Sequence, residues 1–270
     1  MRRSFVLTVG LCALAVGVLI RPRPVIRWLA RRYPDVLFYT DAEEPLVALT
    51  IDDAPHPTLT PAILDVLAEH GARATFFVIG ERVPGNERIL SRIVEEGHEL
   101  GNHLMADSPS VRLSAEEFER QLLCTHNLLS PFGSVRWFRP GSGWYSRRMI
   151  EQLGGHGYRC ALGSAYAYDC HIRSAWYVSR HILLNTRPGS VIILHDGCEG
   201  RWRTVTVLQR VLPELQRRGY RVVTLSELAG RGEIQGAVTN CPQDPRSYVD
   251  RTHAERVTLS IPVQRTDCTK

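Results

Sequence analysis

The sequence predicts an α/β fold built on a parallel sheet. Three observations predict it. Short apolar runs suited to buried strands recur at residues 47–51, 74–79 and 190–194. Helix-length amphipathic stretches separate such runs, and several stop at a glycine, as at Gly71 and Gly97. The runs end in polar groups, with Asp52 and Asp53 after the first and His195 and Asp196 after the run at 190–194. Parallel α/β sheets gather their ligand-binding groups at such strand ends.

In chain order, the strand at 47–51 is followed by a proline-rich turn and a helical pattern at 59–70. A strand at 74–79, a helix near 86–96 and a short strand at 99–103 come next. Ser114 and Glu117 have capping-box spacing and open a helix that runs to about residue 129. Residues 135–138 lead into Arg139-Pro140-Gly141-Ser142-Gly143, a loop that needs unusual backbone angles. A helix at 146–154, a strand at 158–162, a helical segment at 174–186 and the strand at 190–196 follow. A helix at 204–218 and a strand at 220–224 complete the pattern, with a last turn near Ser226. Roughly seven such units close, or nearly close, into a barrel; a doubly wound open sheet fits the same periodicity.

The chain divides into an N-terminal segment (1–32), a main domain (33–230) and a polar C-terminal extension (231–270). Residues 4–20 form an apolar run behind Met-Arg-Arg, which predicts a signal-anchor: a single-pass transmembrane helix through which the chain meets a membrane. Ala13-Leu14-Ala15 resembles a cleavage site and would instead give a secreted chain. The arginines on both flanks leave the side of the membrane open. Formal net charge is +5, yet seven arginines precede the first acidic residue, Asp35, so the main domain is near neutral. That excludes a nucleic-acid surface there. No glycine-rich phosphate loop follows the first strand, and no Cys-x-x-Cys pair supports a structural zinc knuckle. Oligomeric state is left open.

The candidate functional residues are Asp52, Asp53, His103, Asp107, Arg139, Asp169 and His195. Histidine and carboxylates suit a first-row divalent metal, and Asp53, His103 and Asp107 would supply three ligands and leave a position for water. Each also has a plainer reading. The two aspartates would cap the next helix, His103 would be a hydrogen-bonded core residue, and Asp107 would cap a turn. Arg139 would bind a strand-end carbonyl, and His195 would pair locally with Asp196. Trp144 and Tyr145, after the Gly-Ser-Gly turn, are placed to stack on the apolar face of a sugar, or to pack the fold.

Taken together, five ordered segments resemble the NodB-like polysaccharide deacetylases, carbohydrate esterase family 4. These are Thr50-Ile51-Asp52-Asp53-Ala54-Pro55-His56-Pro57, Gly97-His98-Glu99-Leu100-Gly101-Asn102-His103, Phe138-Arg139-Pro140, Asp169, and Ile193-Leu194-His195. The resemblance covers about residues 45–230. It implies a distorted, seven-stranded (β/α) barrel and a hydrolase that removes acetyl groups from an N-acetylated, N-acetylglucosamine-containing glycan. It implies one divalent metal, Zn²⁺ first, with Co²⁺, Mn²⁺ or Mg²⁺ as alternatives, held by Asp53, His103 and Asp107. Asp52 would be the general base, Arg139 its holder, and His195 the general acid, with Asp169 tuning it. Gly141 and Ser142 would offer backbone N–H groups to the oxyanion, Ile193 would line the acetyl pocket, and Trp144 and Tyr145 would meet the sugar. The sequence departs from the family at Asp107, where a second histidine is usual, and also at Ala54, Gly141 and Cys170. A silent glycan-binding or scaffolding relative, and a deacetylase of short or lipid-linked sugars, are the alternatives.

Overall fold

A computed structural model describes residues 23–231 of the chain. Nine parallel strands form one curled, open sheet, with helices packed against its outer face and the last helix closing its inner side. The strands are β1 (Val36–Leu37), β2 (Leu46–Ala54), β3 (Ala74–Val78), β4 (Glu99–Asn102), β5 (Trp137–Phe138), β6 (Arg159–Ala161), β7 (Ala165–Tyr166), β8 (Val191–His195) and β9 (Arg221–Val223). The spatial order is β1-β6-β5-β4-β3-β2-β8-β7, with β9 beside the first residues of β2. The helices are α1 (Arg23–Arg32), α2 (Leu59–Glu69), α3 (Glu87–Glu95), α4 (Ala115–Leu129), α5 (Arg147–Gly155), α6 (Ala175–Asn185), α7 (Arg203–Arg217) and α8 (Leu225–Arg231).

The expected parallel α/β architecture is present, and the expected strand count is corrected. Six of the nine strands lie where strands were predicted, and β5 falls in the run at 135–138 that leads into the Arg-Pro-Gly loop. β1 and β7 are additional; each has two residues, too few to show a period of two. The sheet is an open half-barrel. Its curl brings the chain after β1 to the start of β8, where Tyr39 and Ser190 form an isolated antiparallel bridge.

Alternation along the strands sorts two cores. On β2, Val47, Leu49 and Ile51 face the helices and pack with Ile63, Leu67 and Leu208. Leu46 and Ala48 face inward with Phe77, Trp137, Ala161 and Val191, and Leu225 and Leu228 of α8 close that inner cluster. By the same period, Thr50 and Asp52 continue the inward row on β2, and Ile193 and His195 continue it on β8. The strand tips that carry chemistry are therefore extensions of an apolar row.

The capping-box expectation holds, since the Ser114 hydroxyl accepts from the Glu117 N–H at 3.2 Å. The aspartate pair does not cap α2, whose N-cap Thr58 has no side-chain cap. The apolar run at 4–20 and residues 232–270 lie outside the described residues. Among the described residues no helix is long and apolar enough to cross a membrane, so none of them supplies the transmembrane helix or signal-anchor that was expected of the run at 4–20.

Candidate active site at the strand tips

Asp52 is held by an arginine from the far side of the sheet. Arg139 follows β5 and reaches inward, where its Nη1 donates to Asp52 Oδ1 at 2.5 Å and to Thr50 Oγ1 at 2.7 Å. Its Nε donates to the Ala161 carbonyl at 3.0 Å and its Nη2 to the Leu162 carbonyl at 3.2 Å. The Phe77 ring lies 4.2 Å from the guanidinium carbon, a cation–π contact. Gly101 makes room for that ring, because a Cβ there would stand 2.6 Å from Phe77 Cδ1. Asp52 and Arg139 are only 4% and 2% exposed. Each of the three guanidinium nitrogens has a hydrogen-bond acceptor, and loss of one partner of a pair this buried strands the other charge.

His195 faces Asp52 from the neighbouring strand. The parallel register of β2 and β8 pairs Asp52 with His195, and His195 Nε2 lies 3.9 Å from Asp52 Oδ2. The other ring nitrogen, Nδ1, is 2.9 Å from Asp169 Oδ1, and the His195 backbone N–H donates to Asp169 Oδ2, also at 2.9 Å. The Asp169 carbonyl accepts from Arg203 Nε at 2.9 Å. Burial works against charge on His195. The charge and hydrogen bond of Asp169, the Cys170 thiol and the Asp52 charge outweigh it, and hold the imidazole pKa well above its ordinary value. The site thus pairs a fixed carboxylate with an imidazolium whose free corner points toward it.

Asp53 is turned into the same space by a bulge. The β2–β3 register shifts between Ile51 and Ala54, and Asp53 has φ 64°, in the left-handed region. Adjacent strand residues otherwise face opposite sides, so the bulge re-aims this carboxylate. Asp53 Oδ1 lies 3.3 Å from His103 Nε2. His103 Nδ1 donates to the Arg139 carbonyl at 2.7 Å, which ties this histidine to the loop that holds Asp52. Burial opposes charge on both residues, yet the hydrogen bond and mutual attraction prevail. They lower the Asp53 pKa and raise that of His103.

The second oxygen of Asp53 is taken by Arg201, whose Nη1 lies 2.5 Å from Oδ2 and also donates to the Asp196 carbonyl. Asp107, the expected third metal ligand, is exposed and does not join Asp53 and His103. The loop after His103 turns it outward, with Leu104 at φ 64° and buried instead. These residues therefore offer two converging ligands and a fixed cation, which does not fit a three-ligand divalent site. Among the described residues, the group whose donor atoms all lie within 4.8 Å is Asp169, Cys170 and His195. Its oxygen, sulfur and nitrogen donors could hold a divalent metal.

The remaining candidates divide. Ile193 is buried, with its Cγ1 and Cδ1 against Gly163, where a Cβ would stand 2.6 Å from each. The Gly141 N–H donates to Ser110 Oγ at 2.8 Å, so it is spent inside the protein rather than offered to a ligand. Only glycine fits there, since a Cβ would lie 2.3 Å from the Ser108 carbonyl oxygen. Ser142 is exposed, as is Trp144. Tyr145 packs edge-on against Tyr33, with ring centroids 5.5 Å apart, and serves the core.

Three contributors had no signal in the sequence: Arg201, Thr60 and the role of Asp196. The expected pairing of Asp196 with His195 is replaced by a contact with Thr60, whose hydroxyl donates to Asp196 Oδ2. Asp196 also accepts from the Gly197 N–H at 2.6 Å, and its own N–H donates to the Asp52 carbonyl at 2.8 Å. Burial pushes its pKa up to about 6 against these hydrogen bonds. Beside Cys170, a cavity of about 590 Å³ is lined by Arg173, Arg201, Arg203, His171 and Cys198.

Comparison with known proteins gives these geometries a family. The family model for polysaccharide deacetylase matches residues 40–161. A peptidoglycan-N-acetylglucosamine deacetylase of Bacillus cereus is 36% identical over 188 residues, covering 68% of this chain and 88% of the relative. A chitooligosaccharide deacetylase of Sinorhizobium fredii is 34% identical, covering 68% of this chain and 91% of the relative. Among solved structures, a wild-type CE4 family pseudoenzyme from Bacillus anthracis superposes with a TM-score of 0.66 at 25% identity, covering 72% of this chain and 69% of its own.

Proposed function

The chain belongs to the polysaccharide deacetylase family, carbohydrate esterase family 4, and from that premise we propose that it hydrolyses the acetamide of an N-acetylated sugar within a glycan, releasing acetate. The observation that carries this reading is the Asp52–His195 pair, a carboxylate and an imidazolium corner 3.9 Å apart, each fixed by its own buried partner.

The chemistry follows from those positions. Asp52 takes a proton from a water molecule as the water oxygen bonds to the acetyl carbon. Arg139 keeps the Asp52 carboxylate oriented, leaving Oδ2 on the side of His195. The carbon–nitrogen bond then breaks, and His195 Nε2 passes its proton to the departing amine nitrogen. Asp169 stabilises the imidazolium until that transfer. The products are acetate and a free amino sugar. A divalent ion on Asp169, Cys170 and His195 would claim the Nδ1 that now faces Asp169, so it would displace this acid; no step here runs through it.

The substrate class rests on the relatives, whose names specify peptidoglycan N-acetylglucosamine and chitooligosaccharide. The test is acetate release from N-acetylated chito-oligosaccharides and from peptidoglycan fragments. Release that disappears in Asp52→Asn supports the reading. Release equal in the parent and in Asp52→Asn would falsify it.

A second reading is favoured by one contact. Arg201 on Asp53 occupies the space a metal on that carboxylate would need, which suits a chain that binds glycan without turning it over. Glycan binding with no acetate release from any of these substrates selects this reading.

A further inference from the structure

We propose that Arg201 is the resident cation of the Asp53–His103 pair, standing where a divalent metal would otherwise sit and keeping one out. The claim goes beyond acetamide hydrolysis and does not depend on it, because it concerns how the buried charge of Asp53 is balanced.

Both oxygens of Asp53 already have cationic or donor partners. Oδ1 faces His103 Nε2 at 3.3 Å and Oδ2 faces Arg201 Nη1 at 2.5 Å. His103 is not free to turn away, because Nδ1 is committed to the Arg139 carbonyl. Arg201 is not a loose surface side chain; it is 17% exposed, and the same Nη1 is anchored by the Asp196 carbonyl. A second guanidinium, that of Arg82, donates to the Asp53 backbone carbonyl. Guanidinium stays charged at any ordinary pH, so no protonation change vacates the position. A divalent ion at Asp53 would meet this fixed charge at close range and in a poorly solvated site. With Asp107 exposed, its protein ligands would be Asp53 and His103 alone, with water in the remaining positions, so the fixed cation is what decides occupancy. The loss of a ligand at 107 and the presence of a cation at 201 are thus two halves of one arrangement.

Metal occupancy of the full chain tests this without reference to turnover. Cys170→Ser is introduced first, to disable the separate Asp169–Cys170–His195 group. In that background, Co²⁺ uptake is followed by elemental analysis and by visible absorption, alongside thermal melting. With Arg201 present, we expect no Asp53-dependent Co²⁺ uptake and no metal-induced rise in Tm. Arg201→Ala should lower Tm by stranding the Asp53 charge, take up about one equivalent of Co²⁺, and recover stability with the metal. Asp53→Asn should abolish that uptake. A merely structural arginine would lower Tm without metal rescue, and that result overturns the proposal. So does an equivalent of Co²⁺ that binds with Arg201 intact and is lost in Asp53→Asn. This second comparison needs no variant at 201, and Arg201→Gln, which keeps most of the packing, replaces Arg201→Ala if the alanine chain does not fold.

Discussion

Asp52 and His195 are register partners on adjacent parallel strands, and His195 Nε2 stands 3.9 Å from Asp52 Oδ2. Neither is held by the other. Asp52 belongs to Arg139 and His195 belongs to Asp169, so the gap between them is kept by two separate buried pairs. This independence lets each side be tested alone.

Asp52→Asn keeps the shape of the side chain and removes the base. Acetate release should fall by about 10²-fold or more. His195 should remain on Asp169, so near-ultraviolet circular dichroism should be unchanged. Unaltered turnover would remove Asp52 from the chemistry.

Arg139→Ala should be costly to the fold as well as to activity. It removes the partner of Asp52 and Thr50 and the donors to Ala161 and Leu162, and it leaves a buried carboxylate unpaired. A loss of about 3–5 kcal/mol in urea-unfolding stability is expected. A loss comparable to that of an exposed arginine, such as Arg147, would show that the pair is not formed in solution.

The pH profile should report the Asp169–His195 pair. The folded pKa of His195 is raised above 6.5. Its contribution to stability is therefore full below about 6.5 and is lost as pH rises through the folded value. Asp169→Asn removes the charge that holds the proton. The alkaline limb of acetate release should move down by about one pH unit or more. A limb that stays in place would assign the titration to another group.

Asp196 predicts the opposite experiment, one in which a mutation relieves a cost. Its folded pKa is raised from 3.8 to about 6, so its favourable share is full below 3.8 and lost as pH rises through about 6. Compared with Asp196→Asn, the parent chain should lose up to about 3 kcal/mol more stability between about pH 4 and pH 7. Urea melts at the two pH values measure it directly. Parallel curves for the two proteins would mean that Asp196 ionises normally.

Much of the site was legible because it extends regular structure. A period of two carries Leu46, Ala48, Thr50 and Asp52 along one face of β2, and Val191, Ile193 and His195 along one face of β8. The strand-tip residues could therefore be named without coordinates. The Asp53 contact was only half legible. Its bulge lies within the run Asp-Asp-Ala-Pro, where alternation no longer decides which way a side chain points. The reading of Asp107 as a ligand failed for a related reason: spacing from His103 says nothing about how an irregular loop turns.

By itself the sequence determined the alternation of strand and helix, the inward rows of the main strands, and the carboxylates and histidine at their tips. Those follow from local backbone geometry and apolar periodicity, which act over a few residues. The tertiary structure decided that the sheet stays open, that two-residue strands extend it, that Tyr145 serves the core, and that Gly141 spends its N–H on Ser110. It also decided the charge balance at Asp53, whose partner Arg201 is 148 residues away. Contacts between distant loops depend on which strand ends the sheet brings together, and no local pattern encodes that.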